Sequence, residues 1–367
     1  MNESKNETLR TIETNVVPQF PLWGRTVLLE QYGSGHINDT YRIVTDRGVQ
    51  YILQRVNRYV FPDVEGLMAN IAAVTAFLGA RVGDPREAMS LVRTNADRAY
   101  FEDAEGGCWR VYDFVENSVC LQKIEKPADF YECGLAFGRF QGMMADFPAT
   151  TLIETIPNFH NTPDRFEKFR RAVSADVKGR AAGVAEEIDF ALSLESEAGQ
   201  LHALRRSGEL PTRVTHNDTK INNILMDRYS GKALCVIDLD TVMPGLAAYD
   251  FGDSIRFGAA SAAEDEEDLS RMRLELGLFE TYTRGYLKAC DNLTRLELET
   301  LPLGAFTMTL ECGVRFLTDY LEGDRYFKIR RPDHNLLRCR TQFTLAADVR
   351  RQMPKLGRIV SEYAGGR

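Results

Sequence analysis

No stretch of this 367-residue sequence stays apolar for the roughly twenty residues that a membrane-spanning helix needs, so no spanning segment is expected. The opening residues, MNESKNETLR, are polar and lack the apolar core of a secretory signal. Basic clusters are also missing: 45 Lys and Arg stand against 53 Asp and Glu, a net charge of −8. A nucleic-acid partner is therefore not expected, because binding a phosphate backbone takes a concentrated positive patch. Cysteine is sparse, with seven residues, an odd number, and no CxxC. That usage fits a reducing compartment and a cytoplasmic protein. Repeats and low-complexity tracts are absent as well. What is there is ordinary for a globular chain, 44% hydrophobic and 27% charged, and long enough for two lobes over a sizeable shared core.

Most of the chemistry lies in one stretch, 213–240, RVTHNDTKINNILMDRYSGKALCVIDLD. Short apolar runs at 213–215, 224–226 and 233–237 read as strands, separated by a polar turn and by Ser230–Gly231. Their ends and turns carry His216, Asp218, Asn223, Asp238 and Asp240. Turn chemistry explains any one of these, since Asp and Asn tolerate turn geometry. It does not explain an Asp, an Asn five residues on and an Asp fifteen beyond that, each beside a β-rich apolar run. Carboxylates and an amide oxygen around one point suit Mg²⁺, which takes hard oxygen ligands and leaves positions for phosphate oxygens and water. A further Asp kept off the metal can orient an attacking hydroxyl and accept its proton.

The pattern His-x-Asp-x-x-x-x-Asn followed by Ile-Asp resembles the catalytic and metal loops of the aminoglycoside phosphotransferase and choline kinase-like family. The resemblance implies an α+β, bilobal protein-kinase-like fold of the aminoglycoside phosphotransferase type. A small β-rich N-lobe is expected at 1–115 and a larger, mainly helical C-lobe at 116–367. It further implies that Asp218 faces the substrate hydroxyl, that Asn223 and Asp238 hold Mg²⁺, and that ATP is the phosphate donor.

The N-terminal part follows the same order of elements. Residues 26–32, 40–44 and 50–56 read as strands, with GSGHIND between the first two. Backbone N–H groups approach phosphates most easily where side chains are absent, so Gly33, Ser34 and Gly35 are expected to close over the nucleotide. Taken alone, a Gly-rich hairpin turn is commonly structural. The strand CWRVYDF ends in Phe114, Val115 and Glu116, whose backbone is expected to read the adenine edge. One departure stands out. Kinase folds carry a phosphate-holding Lys on the third strand, paired with a Glu on the next helix. Here the strand is YILQRV, offering Gln54 and Arg55, and the helix at 64–78 carries Glu65. Arg55 is one candidate for the missing charge; reliance on Mg²⁺ and the loop is the other.

Further helices are expected at 130–147, 186–206, 265–287, 302–321 and 334–363, the last bending near Pro354. The acidic run EDEED at 264–268 is read as a helix start, where negative charge complements the dipole. His160, next to a turn, is read as structural. Asp250 is expected to cap the following helix and brace the catalytic loop. Arg315 and Asp319 are spaced i,i+4, which by itself needs be no more than a surface ion pair.

A narrower resemblance rests on YGSGHIND, YILQRVN, WRVYDFVE, RVTHNDTKINNILMD, IDLDTVMPG and ECGVRFLTDYLEGD. These segments are similar to the N-acetylhexosamine 1-kinases within that family. The likeness implies phosphorylation of the anomeric C1 hydroxyl of N-acetylglucosamine or N-acetylgalactosamine. Sugar contacts are then implied at His36, Asp218, Phe257, Arg315 and Tyr326. Two alternatives stand beside this reading. One is the same chemistry on choline, methylthioribose, homoserine or an aminoglycoside. The other is a nucleotide-binding protein without phosphotransfer, suggested by the absent third-strand Lys.

Overall fold

The computed structural model describes residues 2–33 and 37–365. A first helix, α1 (Asn2–Thr11), precedes the strands β1 (Thr26–Gln31), β2 (Asp39–Thr45) and β3 (Gln50–Val56). Helix α2 (Val64–Gly79) follows, then β4 (Leu91–Val92), β5 (Phe101–Glu102) and β6 (Cys108–Asp113). These strands form one antiparallel sheet in the order β1-β2-β3-β6-β4, with β5 also against β6. Side chains alternate across a strand, and here both faces are covered. Tyr51, Leu53, Trp109 and Val111 pack against Ile12, Val16, Val17 and Phe20. Val56, Cys108 and Tyr112 face the other way, onto Leu67, Met68 and Ile71 of α2. That helix starts where it does because Asp63 accepts the Gly66 N–H at 2.9 Å, satisfying an end donor.

The chain then leaves this sheet. Strand β7 (Ser118–Cys120) belongs to a second sheet, ordered β10-β9-β7, with β9 (Ile224–Asp227) and β10 (Ala233–Val236). Helices α3 (Pro127–Met143), α4 (Thr162–Ala175), α5 (Ala185–Ser193), α6 (Glu195–Ala198) and α7 (Gln200–Ser207) lie between β7 and β8 (Arg213–Thr215). After β10 come β11 (Met243–Gly245), α8 (Ala247–Gly258), α9 (Leu276–Ala289), α10 (Arg295–Glu322) and α11 (His334–Ala364). One apolar core joins these helices through Phe137, Phe251, Tyr282, Phe306, Leu310 and Val349. The architecture is α+β and kinase-like, a β-sheet N-terminal region followed by a helical C-terminal region. No helix among the described residues is long and apolar enough to cross a membrane.

Several expected boundaries move, each for a local reason. β8 pairs with β11 rather than with the β9–β10 hairpin. Helix α10 begins seven residues before Pro302, because Thr294 and Glu297 form a reciprocal capping box. The expected helix at 186–206 is broken into α5, α6 and α7. The acidic run does not start a helix; α9 begins only at Leu276. Its carboxylates instead meet side chains from outside the run: Glu264 with Arg256 at 3.1 Å, Asp265 with His334 at 3.2 Å, Glu266 with Arg271 at 2.9 Å.

Candidate active site

The turn after β8 is held from several sides. Asn217 adopts a left-handed backbone (φ 64°), a conformation that persists for a non-glycine residue only when its surroundings enforce it. Both carboxylate oxygens of Asp250 accept from this turn, from the His216 and Asn217 N–H groups at 2.7 Å each. Asp253 accepts the Thr219 N–H at 3.1 Å. The Asn217 amide donates to the Thr215 and Thr241 carbonyls. Its own carbonyl lies 3.3 Å from His160 Nε2, and His160 Nδ1 lies 3.1 Å from the buried Glu311. His160 therefore serves the loop backbone. Asp250 does not cap its helix: Leu246 holds the N-cap position and Asp250 lies within the first turn of α8.

Burial pushes the Asp250 carboxyl up to about 7, against the two N–H donors that favour its charge. A folded-state pKa above the unfolded value means stability is greatest below about 3.8 and is lost as pH rises through about 7. We expect the stability advantage of the parent over Asp250→Asn to shrink between pH 4 and pH 7 and to level off above. Thermal melts of both proteins across that range test this. A growing advantage would mean that the two N–H donors, not burial, dominate.

Asp218 follows directly. Its Oδ1 is 2.6 Å from Lys220 Nζ, and its Oδ2 accepts from Asn223 Nδ2 at 3.0 Å. Burial favours protonation of Asp218, but Lys220 and Asn223 outweigh it and hold the acid below the usual carboxylate range. The charge is thus in place at neutral pH. Burial keeps His216 neutral. Its Nδ1 accepts the Asp218 N–H at 3.3 Å, so its Nε2 is the protonated nitrogen and donates to the Ile237 carbonyl at 2.9 Å. Through that bond, and through the Ile237 N–H to the Asn223 carbonyl at 2.9 Å, the Asp218 turn and the Asp238 turn are stapled together.

Asp238 is a second left-handed residue (φ 63°, ψ 60°). Its side chain is solvent-reachable, yet protein surrounds it, and Asp240 and Asp218 lie close. Desolvation first, then these two carboxylates, push it up to about 7. Asp218 and Asn223 are thus hydrogen-bonded to each other, and Asp238 lies near enough to feel the Asp218 charge.

The other expected residues divide. Gly33 adopts φ +78°, a backbone that disfavours any side chain. Ser34, Gly35 and His36 lie outside the described residues. Phe114, Val115 and Glu116 form the passage from the first sheet to the second. Tyr32, at the foot of the glycine turn, packs edge-on against Phe114 at 6.0 Å. The Phe114 N–H donates to the Gln50 carbonyl, and the Val115 carbonyl accepts from the Ser118 hydroxyl at 2.6 Å. Those two backbone groups are engaged within the protein. Arg55 is excluded as the missing cation, because alternation turns it away from the cleft, over the Trp109 ring at 5.7 Å. Glu65 is exposed on the first turn of α2.

Arg315 does not pair with Asp319. It lies among the Phe159, Tyr326 and Phe327 rings, with centroids 5.6, 5.9 and 5.4 Å away. Asp319 is buried and accepts the N–H groups of Arg325, Tyr326 and Phe327, which fixes the turn carrying Tyr326. Arg315 and Tyr326 line a hollow of about 430 Å³ together with Arg165 and Lys168. Phe257 is 38% exposed at the end of α8. Its neighbour Arg256 binds Asp253 at 2.8 Å, the same carboxylate that holds Thr219 of the Asp218 turn.

Sequence reasoning passed over Lys220 and Arg110 and assigned no role to Asp240. A lone cation among the apolar residues of CWRVYDF was the available signal for Arg110, since buried Arg requires partners. Arg110 is 1% exposed. Its Nε and Nη2 donate to Gln54 Oε1 at 3.0 and 2.7 Å. Its Nη1 lies 2.5 Å from Asp240 Oδ1, an ionic contact rather than an aligned hydrogen bond.

Residues 29–287 match the sequence profile of a phosphotransferase enzyme family. Among solved structures, a microcompartment-associated aminopropanol kinase superposes with a TM-score of 0.60 at 15% identity, covering 96% of this chain and 98% of that one. An aminoglycoside phosphotransferase from Alicyclobacillus acidocaldarius gives 0.60 at 14% identity, covering 95% and 96%. A choline kinase from Cryptosporidium parvum gives 0.57 at 13%, covering 96% and 97%. At these identities the likeness is one of fold.

Proposed function

The chain belongs to the phosphotransferase enzyme family matched by residues 29–287, and from that premise we propose that it transfers the γ-phosphoryl group of ATP to the C1 hydroxyl of an N-acetylhexosamine. The observation that carries the reading is Asp218, a partly open carboxylate kept ionised by Lys220 and Asn223 beside a second acidic turn. A protein that only binds nucleotide has no use for such a base.

In this mechanism Asp218 accepts a hydrogen bond from the C1 hydroxyl, aims its oxygen at the γ-phosphorus and takes its proton. The new oxygen–phosphorus bond forms as the bond from the γ-phosphorus to the β,γ-bridging oxygen breaks, and ADP leaves with that oxygen. Positioning and charge stabilisation supply most of the acceleration. Asn223 and Asp238 are the residues suited to a divalent cation such as Mg²⁺. The Asn223 amide nitrogen is committed to Asp218, which leaves its oxygen free, and the raised Asp238 acid marks negative charge that Arg110 and Lys220 offset only in part. When bound, such an ion would neutralise phosphate charge, and two protein oxygens suffice because Mg²⁺ retains water and phosphate ligands.

Gly33, Ser34 and Gly35 would cover the phosphates, and Phe114–Glu116 would face the adenine as the hinge between a lobe at 1–115 and one at 116–367. For the acceptor, Arg315 offers donors to sugar hydroxyls or the acetamido carbonyl, and Tyr326, 63% exposed, offers a ring face to sugar C–H groups. Phe257 and His36 complete the set. Phosphorus NMR of the protein with MgATP and N-acetylglucosamine, then N-acetylgalactosamine, tests the proposal. A sugar 1-phosphate signal matched by ADP is expected. ADP formed only with choline, homoserine, methylthioribose or an aminoglycoside would reassign the acceptor.

A further inference from the structure

The donor site has no lysine on β3; Arg55 lies over the Trp109 ring, and Glu65 is exposed. Register supplies something else. In the antiparallel sheet Thr40 stands opposite Gln54, and Gln54 opposite Arg110. Alternation aims this row at the α2 face rather than at the Trp109 face. Gln54 Nε2 donates to Thr40 Oγ1 at 3.1 Å, which turns its oxygen toward Arg110. Two guanidinium nitrogens converge on that oxygen, so the planar fork is fixed and its third nitrogen points at Asp240.

Asp240 in turn is only two residues from Asp238. Its other oxygen accepts from Asn38 at 2.6 Å, just beyond the glycine turn. Its carbonyl accepts the Thr155 hydroxyl at 2.7 Å. Asn70 of α2 adds a bond to the Val242 carbonyl at 3.1 Å. The left-handed Asp238 is thus flanked by a segment tied to the N-terminal sheet through one buried ion pair. The pocket also holds three carboxylates, Asp218, Asp238 and Asp240, against two cations, Lys220 and Arg110.

We infer that Arg110 is the positioning cation of the donor site: locked by Gln54 and paired with Asp240, it fixes the turn that carries Asp238 and offsets the negative charge of a pocket that must admit a nucleotide polyphosphate. The inference rests on the phosphotransferase reading above. It assigns to β6 a charge that kinase folds carry on β3. Arg110 acts through Asp240 and does not touch the reacting atoms.

Calorimetric titration of MgADP into the parent, Arg110→Met, Arg110→Lys and Gln54→Met reads this without any acceptor. Losing the outer partner of a ligating segment costs roughly 10–100-fold in affinity, and that weakening is expected for Arg110→Met. Arg110→Lys should recover part of it, since the charge remains while the fork is lost; a merely structural role predicts lower thermal stability with unchanged MgADP affinity in the folded protein. Gln54→Met, which keeps the charge but frees its orientation, should weaken MgADP several-fold. If Arg110→Met folds and binds MgADP within twofold of the parent, the inference is overturned. Should that variant not fold, unchanged affinity in Gln54→Met overturns it instead. A parent that binds no MgADP would overturn the functional reading, a separate outcome.

Discussion

Replacing Asp218 by Asn is expected to lower kcat by on the order of 10²–10⁴-fold, the usual contribution of a positioned proton acceptor, while MgADP still binds. The amide keeps the size of the side chain and one acceptor oxygen, so the turn braced by Asp250, Asp253 and His160 should survive. What disappears is the negative charge that Lys220 and Asn223 hold in place. Initial rates at saturating ATP and sugar, with MgADP affinity measured alongside, separate loss of chemistry from loss of binding. Full turnover in this variant would remove Asp218 from the mechanism.

The largest stability effect is expected where two helices touch backbone to backbone. A Cβ on Gly304 of α10 would come 2.0 Å from the Ala248 carbonyl oxygen of α8, and one on Gly252 would come 2.2 Å from the Gly304 carbonyl oxygen. No side chain can swing aside there. Overpacking a core typically costs about 1–3 kcal/mol, and Gly304→Val should reach about 3 kcal/mol or more because rigid backbone blocks relaxation. The cost would also reach the Asp218 turn, since α8 carries both Asp250 and Asp253. Gly277→Ala is the control: nothing lies within 4 Å of its added methyl, and a change within about 0.5 kcal/mol is expected. Chemical denaturation of both variants decides the matter; equal midpoints would mean that the α8–α10 crossing can open.

The sequence was most informative where function is local in the chain. His216, Asp218 and Asn223 fall within eight residues, so their relative placement follows from one strand end and one turn, whatever the rest of the fold does. The strand at Gln50–Val56 was legible for a similar reason, because a short apolar run following the turn at Asp46–Gly48 is written in adjacent residues. Helix ends were less so. The run at 264–268 has the composition of a helix start, but carboxylates follow the nearest donors, and Arg256, His334 and Arg271 come from elsewhere in the fold or the chain.

Chain sequence alone determined the acid–amide–acid spacing, the sheet-then-helix order and the gap left by an absent third-strand lysine. Tertiary structure decided what fills that gap. Arg110 and Asp240 are 130 residues apart, and nothing in either segment names the other. Their meeting depends on the β3–β6 register, which places Arg110 opposite Gln54, and on alternation, which sends Arg55 to the opposite face. The same holds for Arg315, whose spacing to Asp319 suggested a surface pair. Asp319 is instead consumed by three backbone N–H groups, because a buried turn must satisfy its donors before a side chain can claim the same oxygens.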